Sequence, residues 1–199
     1  MRNKTPIIIV SILIFLVCIA FGWYAYTQYR EEQRIQTLYA TYPIAYNDLI
    51  EQYASQYELD PYLVTAIVRC ESSNQIDAVS SDGAIGLMQI MPDTGEWIAH
   101  KLNMEPFDTS ALYNAETNIL FGCWYLHFLT GRLSANSVNV IAAYNAGHGS
   151  VEGWLENESY AENGTLVVIP YPETERYVEK VQTAYKYYRE LYPELYPSN

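Results

Sequence analysis

Apolar and polar positions divide the chain into an uninterrupted apolar N-terminal segment and a longer region with helical periodicity. The segment PIIIVSILIFLVCIAFGWYAY, from Pro6 to Tyr26, contains no charged residue and matches the ~20 residues that cross the hydrocarbon core of a bilayer. Trp23 and Tyr24 stand near its end, where a membrane helix carries its aromatic belt. The pattern predicts a transmembrane helix over residues 7–26.

The residues on either side of this segment predict its orientation. Arg2 and Lys4 lie in residues 1–6, so the positive-inside rule places the N-terminus in the cytoplasm. Residues 27–42 are polar and charged, which suits a helical or flexible stalk, and residues 43–199 would form an extracytoplasmic domain. We therefore expect a single-pass protein of the cell membrane.

A cleaved signal peptide is the alternative interpretation of the same apolar segment. No clear small-x-small cleavage site follows the apolar run, and Val17 before Cys18 does not suit lipid attachment. These two features favour a retained anchor.

Beyond residue 42 the hydrophobic pattern is helical almost throughout. We expect helices in six stretches, which are 46–57, 61–71, the segment PDTGEWIAHKL from Pro92, NAETNILFGCWYLHFL, SVNVIAAYNAG and the region from about Thr174 to the residue before Pro193. Asp60 before Pro61 is typical of an N-cap and first helical turn. The segment LVVIPYP is predicted to be extended, without a partner strand. The domain is therefore predicted to be all-α, with several short helices.

Charge and cysteine content narrow the classes of partner. A formal net charge of −12 repels nucleic acid and anionic lipid surfaces, so we expect neither as a ligand. Cys18 lies in the predicted span, while Cys70 and Cys123 would form either a disulfide or two free thiols. The three histidines are scattered and no CxxC or HxxxH spacing occurs, which disfavours a metal site.

Glu71 is the candidate catalytic residue. It follows the mostly apolar helix PYLVTAIVRC, so desolvation and the negative end of the helix dipole are both expected to raise its pKa. A carboxylic acid of this kind donates a proton near neutral pH. Taken alone, the same residue is explained more simply as a surface glutamate at a frayed helix end.

Two loops rich in small and neutral polar residues change that balance. SSDGAIGLMQIMP supplies Gly86, which permits left-handed backbone, and the amide of Gln89, while AAYNAGHG supplies Tyr144 and Asn145 at a helix end. Neutral amides, hydroxyls and aromatic rings are the groups with which proteins bind sugars. The same residue types also serve as helix caps, so the loops alone leave both functions open.

Four motifs in a fixed order make a specific resemblance. They are ES at residues 71–72, GLMQIMPDT from Gly86, AYNAG from Ala143 and ETERYV from Glu173. In this order they resemble the lytic transglycosylases of the soluble-lytic-transglycosylase (SLT) family, in the lysozyme-like superfamily, over roughly residues 42–192. The resemblance implies a lysozyme-like fold around a substrate groove, no cofactor, and the glycan strands of peptidoglycan as substrate.

Residue by residue, the resemblance implies Glu71 as the single catalytic glutamate and Ser80 as a contact to the N-acetyl sugar. The other implied substrate-binding residues are Gln89, Tyr144, Asn145, Glu173 and Tyr177. Met88 and Met91 suit either the groove wall or the core, and Asn118 matches a position that we assign to structure. Residues 74–76 are Asn, Gln and Ile where the family carries an aromatic residue, Asn and Pro, so that flank of the groove is expected to differ.

The implied reaction cleaves the glycan between N-acetylmuramic acid and N-acetylglucosamine. Protonated Glu71 donates to the leaving oxygen, and the ionised carboxylate then takes the proton of the muramic C6 hydroxyl, which closes a 1,6-anhydro ring without water.

Two other functions compete with this interpretation. A hydrolytic muramidase on the same fold would need a second acid, for which Asp77, Asp82 and Asp93 are candidates, although Asp82 suits a turn and Asp93 a helix cap. The second competitor is a non-catalytic glycan-binding scaffold, which would not need the glutamate.

Overall fold

The computed structural model describes residues 5–133 and 136–196 of the chain. It divides into two compact units, Met1–Pro43 and Ile44–Asn199. Arg2 and Lys4, which predict the orientation of the span, lie outside the described residues, so the orientation stays a prediction.

The first unit contains one continuous helix, α1, over Thr5–Thr41. Its stretch Ile8–Thr41 is long and apolar enough to cross a bilayer by length and composition. The large apolar side chains of this segment are exposed, including Leu13, Phe15 and Phe21 at 55%, 65% and 71%. The polar residues after the predicted span continue the same helix to Thr41, so the stalk is helical.

The second unit is built almost entirely from short helices, which confirms the predicted all-α class. Its helices are α2 (Asn47–Gln56), α3 (Pro61–Ser72), α4 (Pro92–Leu102), a 3₁₀-helix (Thr109–Tyr113), α5 (Ala115–Arg132), α6 (Ser137–Ala146), α7 (His148–Leu155) and α8 (Pro172–Leu191). The side chain of Asp60 accepts a hydrogen bond from the amide of Tyr62 at 2.9 Å. Asp60 is therefore the N-cap of α3, as its position before Pro61 predicts.

Two local predictions need correction, and one helix, α7, was not predicted although Gly147 does end the helix before it. Leu166 pairs with Ala161 in an antiparallel hairpin between β1 (Ala161–Glu162) and β2 (Thr165–Leu166), so part of the LVVIPYP segment does have a partner strand. The chain re-enters a helix, α7, immediately after Gly147 ends α6. Asp93 lies inside the first turn of α4, whose N-cap is Met91, because Pro92 already occupies the first helical position.

Helix α3 lies in the core and packs most extensively against α8. Val64, Ile67 and Val68 of α3 are fully buried, and the buried stripe of α8 includes Val181 and Tyr188. The apolar sequence of α3 is explained by this burial, since each such side chain removed from water stabilises the fold by about 1.5–3 kcal/mol. The packing fixes the C-terminal end of α3, where Glu71 lies.

Candidate active site

Glu71 projects from the last turn of α3. The helix ends there because Ser73 and Asn74 both adopt left-handed backbone, with φ of 55° and 67°. The hydroxyl of Tyr177, on α8, donates a hydrogen bond of 2.5 Å to Oε1 of Glu71. The carboxyl group is thus held at the meeting point of α3 and α8.

The environment of Glu71 balances its two protonation states. Burial raises the pKa of Glu71 from 4.5 to about 7, while the hydrogen bond from Tyr177 and the positive charge of Lys180 act in the opposite direction. The direction is the one expected for a carboxyl at the end of an apolar helix. A group with this pKa can give up a proton and take one back near neutral pH.

Two half-buried tyrosines, Tyr144 and Tyr177, accompany the carboxyl. Burial raises the pKa of both Tyr144 and Tyr177 well above 10, and the negative charge of Glu71 adds to the effect in each case. Both phenols therefore remain protonated hydrogen-bond donors at neutral pH. The hydroxyl of Tyr144 donates to the carbonyl oxygen of Met88 at 2.8 Å, which ties α6 to the loop before α4.

Asn118 is the centre of that loop's support. Its Nδ2 donates to the carbonyl oxygens of Ile85 and Leu112 at 2.9 and 2.8 Å, and its Oδ1 accepts from the amide of Met88 at 2.7 Å. Asn118 is fully buried, so these bonds form in a site shielded from water. The structural assignment of Asn118 is confirmed.

Gln89 and Gly86 shape the same loop. The amide nitrogen of the Gln89 side chain donates to the carbonyl oxygens of Ala78 and Gly86 at 3.2 and 3.0 Å. Gly86 has φ of 81°, and a Cβ there would collide with the side chain of Asn118 and with the carbonyl oxygen of Leu112. Gly86 therefore allows the chain to pass close to Asn118 in a backbone conformation that other residues rarely adopt.

The remaining candidate substrate-binding residues, Ser80, Asn145 and Glu173, have different contacts in the structure. Ser80 Oγ accepts from the amide of Ala84 at 3.0 Å, so it closes the turn that begins the loop. Asn145 Oδ1 accepts from the hydroxyl of Thr174 at 2.8 Å, which joins the end of α6 to the start of α8. Glu173 is exposed in the first turn of α8.

The two methionines of the loop have different environments. Met88 is completely buried and belongs to the core, whereas Met91 is 41% exposed and remains available as a groove wall.

Lys180 is a site residue that the sequence analysis missed. Its Nζ donates to the carbonyl oxygen of Cys70 at 2.7 Å, one residue before Glu71. The available signal was its spacing of three residues from Tyr177, which places both side chains on one face of α8.

A cavity between α4, α5 and α7 is a second feature that the sequence did not indicate. The cavity has a volume of about 230 Å³ and is lined by Asp93, Thr94, Trp97, Tyr125 and His148. The Tyr125 ring lies 5.6 Å from that of Tyr144, measured between centroids. Tyr144 in turn interacts electrostatically with Glu71, so Tyr125 and Tyr144 connect the cavity to the candidate carboxyl.

The groups that shift the Glu71 pKa include no second carboxylate among the described residues. Within residues 5–133 and 136–196, no group of three or more His, Cys, Asp or Glu side chains is arranged to hold a metal ion.

Cys70 and Cys123 are buried free thiols, which decides between the two expectations for this pair.

The chain is similar to known proteins in both sequence and fold. The family described as the transglycosylase SLT domain matches residues 48–166. The chain is 37% identical over 151 residues to the soluble lytic murein transglycosylase of Escherichia coli (strain K12). The matched region covers 74% of this chain and 23% of that protein. It is 31% identical over 167 residues to membrane-bound lytic murein transglycosylase C of Pectobacterium atrosepticum, which covers 72% of this chain and 46% of that protein.

A solved structure shows the same fold. The X-ray structure of an inactive glutamate-to-glutamine mutant of lytic transglycosylase Slt from Pseudomonas aeruginosa matches with a TM-score of 0.68 and 32% identity, over 75% of this chain and 25% of that chain. The chain thus spans less than half the length of each of these relatives. Tyr177 and Lys180 lie beyond the residues that the SLT family matches.

Proposed function

The chain belongs to the transglycosylase SLT family, and from this premise we propose that it is a membrane-anchored lytic transglycosylase of peptidoglycan. The observation that carries the proposal is the buried carboxyl of Glu71, whose pKa of about 7 lets one group serve in turn as acid and base. The names of the relatives, which are soluble and membrane-bound lytic murein transglycosylases, supply the substrate class.

In the first step Glu71 acts as the general acid. Tyr177 occupies Oε1, so the proton for the leaving glycosidic oxygen resides on Oε2. Burial keeps a large fraction of the carboxyl protonated near pH 7. The bond between N-acetylmuramic acid and N-acetylglucosamine breaks as this proton moves to the leaving oxygen, and the acetamido oxygen of the substrate stabilises the sugar cation.

In the second step the carboxylate acts as the general base. The hydrogen bond from Tyr177 and the charge of Lys180 favour the ionised form that the first step leaves behind. This carboxylate removes the proton of the muramic C6 hydroxyl, whose oxygen then attacks C1 and closes the 1,6-anhydro ring. Glu71 is protonated again at the end of the cycle. The reaction therefore needs no second catalytic carboxylate and consumes no water.

The glycan is proposed to lie along the surface that joins Glu71 to the aromatic cavity. Trp97 and Tyr125 offer apolar faces for sugar rings, and Thr94 and His148 offer polar groups for their hydroxyls. Ser80, Gln89, Tyr144, Asn145, Glu173 and Tyr177 remain the proposed substrate-binding residues. For Gln89 and Tyr144 the internal hydrogen bonds support an additional role in holding the loop.

The anchor is proposed to be the apolar part of α1, within residues 7–26. The exposed apolar surface of this helix is what a membrane span requires, and a relative named as membrane-bound supports this location. An extracytoplasmic catalytic domain then acts on wall close to the membrane.

The experiment that tests the proposed activity follows the turbidity of purified peptidoglycan with the full chain solubilised in detergent. We expect the wild-type protein to clear the suspension and Glu71→Gln to leave it turbid while remaining folded by circular dichroism. A folded wild-type protein that binds peptidoglycan without clearing it would favour the scaffold instead. The inactive glutamate-to-glutamine mutant of the Pseudomonas aeruginosa relative supports the expected result.

A further inference from the structure

Lys180 connects α8 to the backbone from which Glu71 projects. Its Nζ donates to the carbonyl oxygen of Cys70 at 2.7 Å, and Cys70 is the residue immediately before Glu71. We propose that Lys180 is a positioning residue for the proposed transglycosylation, which holds the last turn of α3 and supplies the positive charge that the carboxylate of Glu71 needs in the second step. This inference rests on the proposed function.

The contacts between the two helices show why this position is suited to the role. Tyr185 donates to Asp60 at the start of α3, while Lys180 and Tyr177 reach Cys70 and Glu71 at its end. The two helices therefore run in opposite directions. The last carbonyl groups of a helix have no partner within it and form the negative end of its dipole. An ammonium group on such a carbonyl satisfies one of them and offsets that negative end.

Lys180 differs from the other groups around Glu71 because it carries a charge. Those that face the carboxyl or interact with it are Tyr177 and Lys180 from α8, Tyr144 from α6, and the thiol of Cys70 from α3 itself. The two phenols and the thiol are neutral at pH 7, because burial raises the pKa of each. Within the described part of the chain, Lys180 is the cation whose charge lowers the pKa of Glu71.

Burial and Lys180 therefore serve opposite halves of the reaction. Burial keeps the carboxyl protonated, as the acid step requires, and the ammonium keeps the ionised form accessible, as the base step requires. Lys180 is exposed, so water screens its charge and its effect on Glu71 is moderate. Its loss is expected to lower kcat more than it changes KM, since the amine acts through Glu71 and the helix rather than through substrate.

The test compares Lys180→Met, Lys180→Gln and Lys180→Arg with Lys186→Met, a control that removes an exposed lysine farther along the same helix. The full chain in detergent is labelled with ¹³C at glutamate Cδ, and the Glu71 signal is assigned by its absence in Glu71→Gln. We expect Lys180→Met and Lys180→Gln to raise the Glu71 titration midpoint by roughly half a pH unit. Lys180→Arg and Lys186→Met should titrate like the wild type.

The pH profile of peptidoglycan clearance gives the second readout. Activity falls as pH rises through the pKa of Glu71, because the first step needs the protonated form. This fall is the alkaline limb of the pH profile. It should lie at higher pH in Lys180→Met and Lys180→Gln than in the wild-type protein. In Lys180→Arg it should lie at the wild-type position.

A folded Lys180→Gln protein whose Glu71 titrates at the wild-type midpoint would overturn the inference. The titration needs no catalysis, so a wild-type protein that fails to cleave peptidoglycan would refute the proposed function alone and leave this result readable.

Discussion

Tyr177 donates a hydrogen bond to Oε1 of Glu71 at 2.5 Å across 106 positions of the sequence. Because burial raises the pKa of the Tyr177 phenol well above 10, the hydroxyl keeps its proton and the bond always runs from tyrosine to carboxyl. The contact favours the ionised carboxylate, while burial favours the neutral acid. The proposed mechanism depends on this balance.

Removing the Tyr177 hydroxyl should disturb the balance in a predictable direction. In Tyr177→Phe the carboxylate loses a hydrogen bond that stabilises its charge, so the pKa of Glu71 rises and the alkaline limb of the pH profile moves to higher pH. A hydrogen bond to a charged group is worth roughly 1.5–3 kcal/mol, which corresponds to a fall of about tenfold or more in kcat. The measurement is peptidoglycan clearance between pH 5 and pH 9.

Tyr185→Phe is the matched control for this substitution. It removes a tyrosine hydroxyl that bonds to Asp60 at the other end of α3. Its alkaline limb should stay at the wild-type position. A Tyr177→Phe profile that coincides with that of Tyr185→Phe would contradict the role given to Tyr177.

The stability of Glu71→Gln relative to the wild-type protein should depend on pH. Folding raises the pKa of Glu71 from 4.5 to about 7. The contribution of Glu71 to the free energy of unfolding is therefore fully present below pH 4.5 and is lost as pH rises through 7. Glutamine does not titrate. The free energy of unfolding of Glu71→Gln relative to wild type should therefore rise by up to about 3 kcal/mol between pH 5 and pH 9.

Urea unfolding at the two pH values measures this difference. Glu179→Gln, an exposed position of α8, should show no such change because its carboxylate lies in water. A constant difference between Glu71→Gln and wild type would mean that Glu71 is ionised normally in the folded protein.

The close passage of the loop past Asn118 predicts the effect of two glycine substitutions. Gly86→Ala places a methyl group against the Asn118 side chain and the Leu112 carbonyl oxygen in left-handed backbone, and should cost about 3 kcal/mol or more. Gly83→Ala meets the same kind of strain at φ of 90° but no atom within 4 Å, and should cost only about 1 kcal/mol. Equal melting temperatures for the two variants would contradict the packing described around Gly86.

The two buried thiols, Cys70 and Cys123, are expected to react slowly with thiol reagents. Burial raises the pKa of Cys70 to about 11 and also raises that of Cys123, so neither forms the reactive thiolate at neutral pH. In a Cys18→Ser protein, a thiol reagent such as Ellman's reagent should react with the native chain slowly and with two thiols after denaturation in urea. No reactive thiol after denaturation would reveal a disulfide.

The regular helices were the most predictable part of the fold. The apolar run of α3 and the stripe on α8 follow the helical period, and Asp60 before Pro61 marks the start of α3. Helix α7 was not predicted because it begins directly after the glycine that ends α6. The hairpin has strands of two residues each, which are too short to give an alternating pattern.

The candidate site could be predicted only in part, for a different reason. Glu71 and Tyr177 were identified from the resemblance, but no local pattern shows that two residues so far apart in the chain share a hydrogen bond. Lys180 was missed because its spacing from Tyr177 indicates a shared helix face but does not reveal the backbone carbonyl that it binds. The aromatic cavity was missed because its lining comes from three helices, and Tyr125 follows the same helical spacing as the buried residues of α5.

The central claim is that Glu71 alone carries out transglycosylation. Mass spectrometry of the muropeptides released from purified peptidoglycan by the full chain in detergent, beside those released by Glu71→Gln, tests it most directly. We predict anhydro-muropeptides, one water lighter than products with reducing ends, from the wild-type protein and none from the variant. Reducing-end products from the wild-type protein would contradict the claim, because they require water and a second catalytic group.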